Sequence, residues 1–158
     1  MDFLHLDAVA FPVLRGSLSR LNEAGDYSWC IEVHCGESEQ LDYRNWPENK
    51  IGSGLDWLAG KEPYLYAQLL PLGVGSPDEL IGCRYSFPQS SYDDPADWEP
   101  NHWPFFCLYT WEHDYVHPIS LAFTAKRGRQ YRAEIEGKFP VNNRYHDLRV
   151  QAWLDWDR

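Results

Sequence analysis

The first residues that could do chemistry are three histidines in the second half of the chain. His113 and His117 are four residues apart, the first has an acidic residue on either side, and His102 lies upstream. On a helix this spacing places both imidazoles on one face, where they could bind a zinc ion. Pro118 follows directly and opposes a helix at that point. We therefore expect solvated or hydrogen-bonded loop histidines, and no metal or other cofactor.

Pairs of carboxylates are typical of a second chemistry, the hydrolysis of glycosidic bonds. A glycosidase holds two carboxyl groups about 5–9 Å apart across the sugar, one of them with a raised pKa. Such pairs occur at Asp93 with Asp97 or Glu99, at Glu134 with Glu136, and at Asp155 with Asp157. The pair at 134 and 136 alternates with apolar residues, which is typical of a solvated strand face, so we expect ion pairs with Arg132 or Arg149.

Signatures of nucleophilic catalysis and phosphate binding are missing from the sequence. It contains no G-x-S-x-G, no phosphate-binding glycine loop and no G-x-G-x-x-G. His34 and Cys35 are adjacent, so on a strand their side chains point to opposite faces and do not form a dyad. Cys107 lies in an apolar run and is expected in the core. These patterns predict a protein that is not an enzyme.

An acidic, aromatic segment is the strongest candidate for a binding site. Residues 88–104 read PQSSYDDPADWEPNHWP, within a longer stretch, 85–123, that has no Lys or Arg. Seventeen residues is long for a connection in a compact domain, and such loops are usually functional or disordered. Aromatic anchors and carboxylates suit contact with a basic surface. The predicted contact residues are Tyr92, Asp93, Asp94, Asp97, Trp98, Glu99 and Trp103. The alternative is that the tryptophans fold back onto the core.

The net charge of the chain narrows the class of partner. The chain has 14 Lys and Arg against 24 Asp and Glu, a net charge of −10. This charge repels nucleic acids and attracts basic proteins. We find no membrane-length apolar run and no signal-peptide pattern at the N-terminus, and the four cysteines form no C-x-x-C pair. The expected location is the cytoplasm.

Together these features favour an acidic interaction protein that binds and neutralises a basic protein, such as a toxin or effector domain. This profile resembles that of bacterial immunity proteins, which block cognate toxins, although the likeness is one of type and no motif is shared. The first alternative is a carbohydrate-binding module with Trp46, Trp57, Trp98 or Trp103 as stacking platforms. The second is a metal-dependent or glycosidic hydrolase. Seven basic residues in 126–149 predict either internal charge pairing or a homodimer.

The elements that must position these residues are predicted to be strands. Period-two alternation recurs, and sustained helical periodicity is scarce. Strands are expected at 3–9, in a hairpin over 14–34, at 64–70, at 81–87, at 105–111, and in a C-terminal three-strand meander over 119–154. Residues 55–59 could form one helical turn, and 76–79 a turn that leads into a strand. We predict one domain, 1–158, an all-β sandwich of about eight strands in two packed antiparallel sheets with one long acidic loop.

Overall fold

The structure is a computed structural model that describes residues 1–21, 27–42, 44, 54–87, 106–110, 113–116, 118–141 and 144–157. Its strands are β1 (Phe3–Leu6), β2 (Val9–Arg20), β3 (Tyr27–Cys35), β4 (Tyr64–Pro71), β5 (Arg84–Phe87), β6 (Phe106–Tyr109), β7 (His113–Tyr115), β8 (Ile119–Arg127), β9 (Gln130–Val141) and β10 (Arg144–Asp157). Two short 3-10 helices lie at Asp56–Leu58 and Pro77–Leu80.

The ten strands form one open sheet in the order β5-β8-β9-β10-β1-β2-β3-β4-β6-β7. Neighbours in this order are antiparallel. The predicted all-β, antiparallel class is therefore confirmed, and the described residues form ten strands where about eight were predicted. The predicted division into two packed sheets is not confirmed, because hydrogen bonding continues from strand to strand across the whole described sheet.

The short strand β1 joins the N-terminal strands to the C-terminal meander. Its four residues pair with 9–12 of β2 on one side and with 148–151 of β10 on the other. Beyond the start of β1, residues 17–19 of β2 and 155–157 of β10 pair directly with each other, in parallel. The N-terminal strands and the C-terminal meander thus belong to one sheet.

Asp2 fills the point where β1 begins and its two neighbours converge. Its backbone carbonyl accepts a hydrogen bond from the N–H of Val13 at 2.9 Å. Its carboxylate accepts one from the N–H of Trp153 at 2.9 Å and forms an ion pair with Arg132 at 2.5 Å. Strands that lose a neighbour leave N–H groups without acceptors, and an unpaired buried N–H is costly. Asp2 supplies the acceptors that β1 no longer provides.

The side chains alternate between a buried inner face and an opposite face. The sheet twists and curves so that its inner face encloses the core. Trp29 of β3 contacts Trp156 of β10, with ring centroids 5.5 Å apart. Near the two ends of the sheet, Phe87 of β5 contacts Phe106 of β6 at 5.7 Å. The largest fully buried side chains of this core include Trp29, Phe11, Phe106, Phe123, Phe139, Leu4, Leu6, Leu18, Ile31, Leu55, Leu58 and Leu65.

Predictions that depend on local pattern are mostly confirmed. β8, β9 and β10 form the expected C-terminal meander, and β2 and β3 form the expected hairpin. The helical turn predicted within 55–59 is the 3-10 helix Asp56–Leu58. A turn was predicted at 76–79, where the chain forms the 3-10 helix Pro77–Leu80, and the strand predicted from residue 81 begins at Arg84.

The strand predicted over residues 3–9 is wrong in one respect, because Asp7 interrupts it. Asp7 has a φ of +52°, in a region that Asp enters more readily than most residues. Its N–H donates to the carbonyl of Asp147 at 2.8 Å, and its carboxylate accepts the N–H of Asp147 at 2.7 Å. The same carboxylate contacts Nδ1 of the buried His146 at 2.6 Å. These contacts stabilise a turn between β1 and β2.

Replacing Asp2 by Asn should lower the free energy of unfolding by about 1–3 kcal/mol at pH 7. Burial alone would raise the pKa of Asp2, but the hydrogen bond from Trp153 and the ion pair with Arg132 outweigh it, so the pKa is lowered from its ordinary 3.8. A lowered folded-state pKa means that the carboxylate stabilises the fold above pH 3.8 and loses this effect as the pH falls further. Urea denaturation of both proteins at pH 7 and at pH 3 should show the difference shrinking. A difference that is independent of pH would contradict this role.

Replacing Gly16 by Ala should also destabilise the fold, because β2 and β10 approach closely there. A Cβ on Gly16 would lie 2.7 Å from Cδ2 of Leu154 and 2.8 Å from the carbonyl oxygen of Trp153. Overpacking of this kind costs about 1–3 kcal/mol. Gly36→Ala is the matched control, since its Cβ would meet nothing closer than 3.4 Å. Equal melting temperatures for the two variants would contradict the close approach.

Candidate functional site

The acidic, aromatic segment 88–104 lies outside the described residues, and with it all seven predicted contact residues: Tyr92, Asp93, Asp94, Asp97, Trp98, Glu99 and Trp103. Its flanks are described. Phe87 ends β5 and packs against the core, and Phe106 begins β6 and is 1% exposed. Their ring centroids are 5.7 Å apart. Both flanks of the segment are therefore held together at one place, where the curved sheet brings its two ends close.

The predicted histidine cluster is only partly described. His102 and His117 lie outside the described residues, and His113 begins β7, where it pairs with Tyr109 of β6. Within the described part of the chain, no group of three or more His, Cys, Asp or Glu side chains is placed to hold a metal ion. His113 is on a strand, so the helical spacing that suits zinc ligands does not apply to it.

The outer side of β3, β4 and β6 carries a surface that we name the tyrosine face: Glu32, His34, Tyr64, Tyr66, Cys107 and Tyr109. Strand register places these residues in two rows. Glu32 lies beside Tyr66, which lies beside Cys107. In the next row His34 lies beside Tyr64, which lies beside Tyr109. Side chains in such cross-strand positions contact one another directly.

Three rings of the tyrosine face are stacked. His34 and Tyr64 lie 4.2 Å apart with an angle of 18° between their planes, and Tyr64 and Tyr66 lie 5.4 Å apart at 23°. Offset-stacked rings stabilise each other beyond the area that they bury. Because Tyr64 is stacked on two neighbours, part of its ring surface is occupied. The tyrosine face therefore presents hydroxyl groups and ring edges to solvent more than it presents the flat faces of its rings.

Glu32 is the acidic centre of the tyrosine face. Its carboxylate lies 3.7 Å from Nε2 of His34, and the side chains are 40% and 44% exposed, respectively. Burial, followed by the charge of Glu32 and its hydrogen bond with the phenol, raises the pKa of Tyr64 to about 12. The tyrosine therefore stays protonated near neutral pH and can donate to the carboxylate.

The sequence contains one signal for this surface, which is the spacing of its residues along each strand. Glu32 and His34 are two residues apart on a strand, as are Tyr64 and Tyr66, so each pair shares a face. What the pattern did not reveal is that β3 and β4 are neighbours in this register, with 28 residues between them. The adjacency that makes the site is therefore a property of the folded sheet.

The prediction that the side chains of His34 and Cys35 point to opposite faces is confirmed. His34 lies on the tyrosine face, whereas Cys35 is 3% exposed on the inner face. Burial raises the pKa of the Cys35 thiol to about 12. A thiol with such a pKa is a poor nucleophile, because the thiolate is the reactive form. Cys107 is buried as expected, but on the tyrosine face and not among the inner residues.

The expected ion pairs of Glu134 and Glu136 are not found among the described side chains, so that prediction is wrong. Arg132 instead binds Asp2, and Glu134 accepts a hydrogen bond from the Thr124 hydroxyl at 3.4 Å. Two adjoining grooves of about 590 and 320 Å³ lie on this outer face. The strand register places Arg149 directly across from Glu136, but no ion pair between these two side chains is found.

Of the four tryptophans predicted as stacking platforms for a sugar, Trp57 lies within the described residues, and its side chain contacts the rest of the fold. Trp57 lies in the 3-10 helix Asp56–Leu58 and packs partly buried against the core. Its indole N–H donates to the carbonyl of Gly54 at 3.1 Å. Trp46, Trp98 and Trp103 lie outside the described residues. The ring of Trp57 is therefore used, at least in part, to fix the chain between β3 and β4.

Comparison of the chain with protein-family models, with curated proteins and with solved structures found no match. None of the described helices is long and apolar enough to cross a membrane. Function is therefore inferred from the residues and geometry of this chain alone.

The contact between Glu32 and Tyr64 can be tested by titrating the Tyr64 phenol. In ¹³C NMR of tyrosine-labelled protein, Tyr64 should still be protonated near pH 11, where a tyrosine with the ordinary pKa of about 10 is mostly ionised. Glu32→Gln should lower the pKa of Tyr64, because it removes a negative charge that opposes ionisation. Glu62→Gln, a substitution in an exposed residue that precedes β4, is the control. If the pKa of Tyr64 is the same in the Glu32→Gln variant as in the wild type, the contact between Glu32 and Tyr64 is contradicted.

Proposed function

We propose that this protein binds and neutralises a basic protein partner, and that its specific role is that of an immunity protein that blocks a bacterial toxin. The contact between Phe87 and Phe106 carries the proposal, because it fixes both flanks of the acidic, aromatic segment at one place on the fold. A segment whose ends are held together loses less entropy when it is ordered by a partner. The entropy lost in ordering the segment then reduces the affinity for the partner by a smaller amount.

The distribution of charge supports a basic partner. The described residues include 16 acidic and 12 basic side chains, whereas the other 39 residues of the sequence include eight acidic and two basic ones. Four of those eight acids lie in 88–104. The excess negative charge is thus concentrated in a few stretches of sequence, and a local excess of negative charge attracts a basic protein.

Internal pairing accounts for much of the basic region 126–149. Lys126 is paired with Asp78, Arg132 with Asp2, and Lys138 with Asp147. Arg127 and Arg129 bind within the chain as well, to Gln130 and to the carbonyl of Trp156. These contacts favour the internal-pairing interpretation over a homodimer in which the basic region docks on the acidic segment of another copy.

In the proposed mechanism, the carboxylates of 88–104 take the place of an anionic substrate and occlude the basic cleft of the toxin. Charge-assisted hydrogen bonds from Lys and Arg of the toxin would be the main polar contacts. Trp98 and Trp103 would be the anchors, since aromatic side chains dominate the energy of such interfaces. Sugar binding is the second candidate, and the contacts of Trp57 and Tyr64 described above favour it less.

Neutralising the acidic segment should slow association with the partner. The partner is first captured from the producing cells and purified, and kinetics are then measured at 50 and 500 mM salt. The variant replaces the four acids of the segment: Asp93→Asn, Asp94→Asn, Asp97→Asn and Glu99→Gln. We expect the association rate at low salt to fall by about tenfold or more and its salt dependence to flatten, because steering by charge is lost.

The control variant removes the same total charge elsewhere. It replaces four exposed acids by glutamine: Glu37, Glu39, Glu62 and Glu136. If net charge alone attracts the partner, both variants slow association equally. A large effect of the first variant and a small effect of the control support the segment as the contact. Unchanged kinetics in the first variant would overturn the proposed function.

A further inference from the structure

We infer that Glu32, on the tyrosine face, is the acceptor for an Arg or Lys side chain of the basic partner. This inference rests on the proposed function and names a second contact for it, in the described part of the fold. The partner would place one cationic side chain against Glu32, between His34 and Tyr64.

The position of Glu32 suits an anchor. It lies in the middle of β3, in register with Ser17 of β2 on one side and Tyr66 of β4 on the other. Its side chain is 40% exposed, so a partner can reach it although neighbouring side chains already exclude part of its water. An ion pair with a partly desolvated carboxylate is stronger than one in open solvent, where such pairs contribute little.

The surroundings of Glu32 hold it in place before any partner arrives. Tyr64 interacts with the carboxylate through its phenol, and Tyr64 is itself stacked on His34 and Tyr66. A stacked ring has few accessible rotamers, and stiff aromatic side chains lose little entropy on binding. The site is thus organised in the free protein, which reduces the cost of association.

The charge of Glu32 is not neutralised by a Lys or Arg within the described residues. The nearest guanidinium in the strand register is that of Arg15, which lies beside His34 on β2. Arg15 is 3.7 Å from Asp157 and forms its ion pair there. Among the described side chains, His34 is the one that lies within ion-pair distance of Glu32, at 3.7 Å. A cation supplied by another protein would therefore complement an acceptor that has no Lys or Arg partner in the described part of the fold.

The tyrosine face also continues directly from the acidic segment along the chain. One residue separates that segment from Phe106, the first residue of β6. Two other residues of β6, Cys107 and Tyr109, belong to the two rows of the tyrosine face. A basic partner that contacts 88–104 would therefore lie near β6. The negative charges of the segment and of Glu32 are both complementary to the positive charge of the partner.

The test uses the purified partner and separates association from dissociation. Glu32→Gln keeps the size of the side chain and removes its charge. Loss of a partly buried ion pair acts mainly on dissociation, so we expect the dissociation rate to rise by about tenfold and the association rate to change little. Tyr64→Phe keeps the ring stack and removes the hydroxyl, and should raise the dissociation rate by a smaller factor. Glu62→Gln is the control and should leave both rates unchanged.

The outcomes of this test distinguish the inference from the function on which it rests. If neutralising 88–104 slows association while Glu32→Gln dissociates at the wild-type rate, the function stands and the Glu32 anchor is overturned. If neither variant changes the kinetics, the proposed function is overturned as well. Melting temperatures of all variants are measured alongside. If Glu32→Gln melts much lower than wild type, the Tyr64→Phe variant is used in its place. A raised dissociation rate of Tyr64→Phe then supports the Glu32 anchor, and a wild-type rate overturns it.

Discussion

The pairing of β1 with both β2 and β10 is the interaction on which the fold depends. Four residues near the N-terminus form hydrogen bonds with a strand only a few residues away and with one that lies more than 140 residues along the chain. Without β1, the N-terminal hairpin and the C-terminal meander would share only the short parallel pairing at the far ends of β2 and β10. Asp2 completes the junction, and Gly16 allows the strands to converge beside it. A fold that relies on such distant contacts is expected to form slowly, because the chain must close long loops before they are stabilised.

The same curvature that encloses the core also arranges the two surfaces proposed for binding. It brings β5 close to β6, so the flanks of the acidic segment meet at Phe87 and Phe106. It leaves the outer side of β3, β4 and β6 with aromatic and acidic side chains, because period-two alternation sends the apolar neighbours inward. Glu32 on β3 is separated by β4 from β6, the strand that follows the segment 88–104. Long-range attraction and a short-range anchor would then act on the same partner from neighbouring parts of the fold.

Sequence patterns predicted the elements that depend on local geometry. The meander over β8–β10 was found because alternation and a tight turn at Gly128 both lie within a few residues, and the hairpin of β2 and β3 was found in the same way. The predicted division into two sheets is not confirmed, and periodicity could not decide it because strand partners are not encoded in periodicity. The break at Asp7 was missed for a related reason: its contacts with Asp147 and His146 come from the other end of the chain. The acidic segment lies outside the described residues, so its role stays a prediction.

The amino-acid sequence by itself determined the strand-rich class, the excess of negative charge, and the concentration of acids and aromatic residues in 88–104. These follow from composition and from spacings of a few residues, which act before any distant contact forms. The tertiary structure alone decided that Asp2 lies beside Trp153, that Phe87 meets Phe106, and that Glu32 stands beside Tyr66 and near Tyr64. Each of these contacts joins residues far apart in the chain. The order and register of the strands, set by burial of the whole inner face, bring them together.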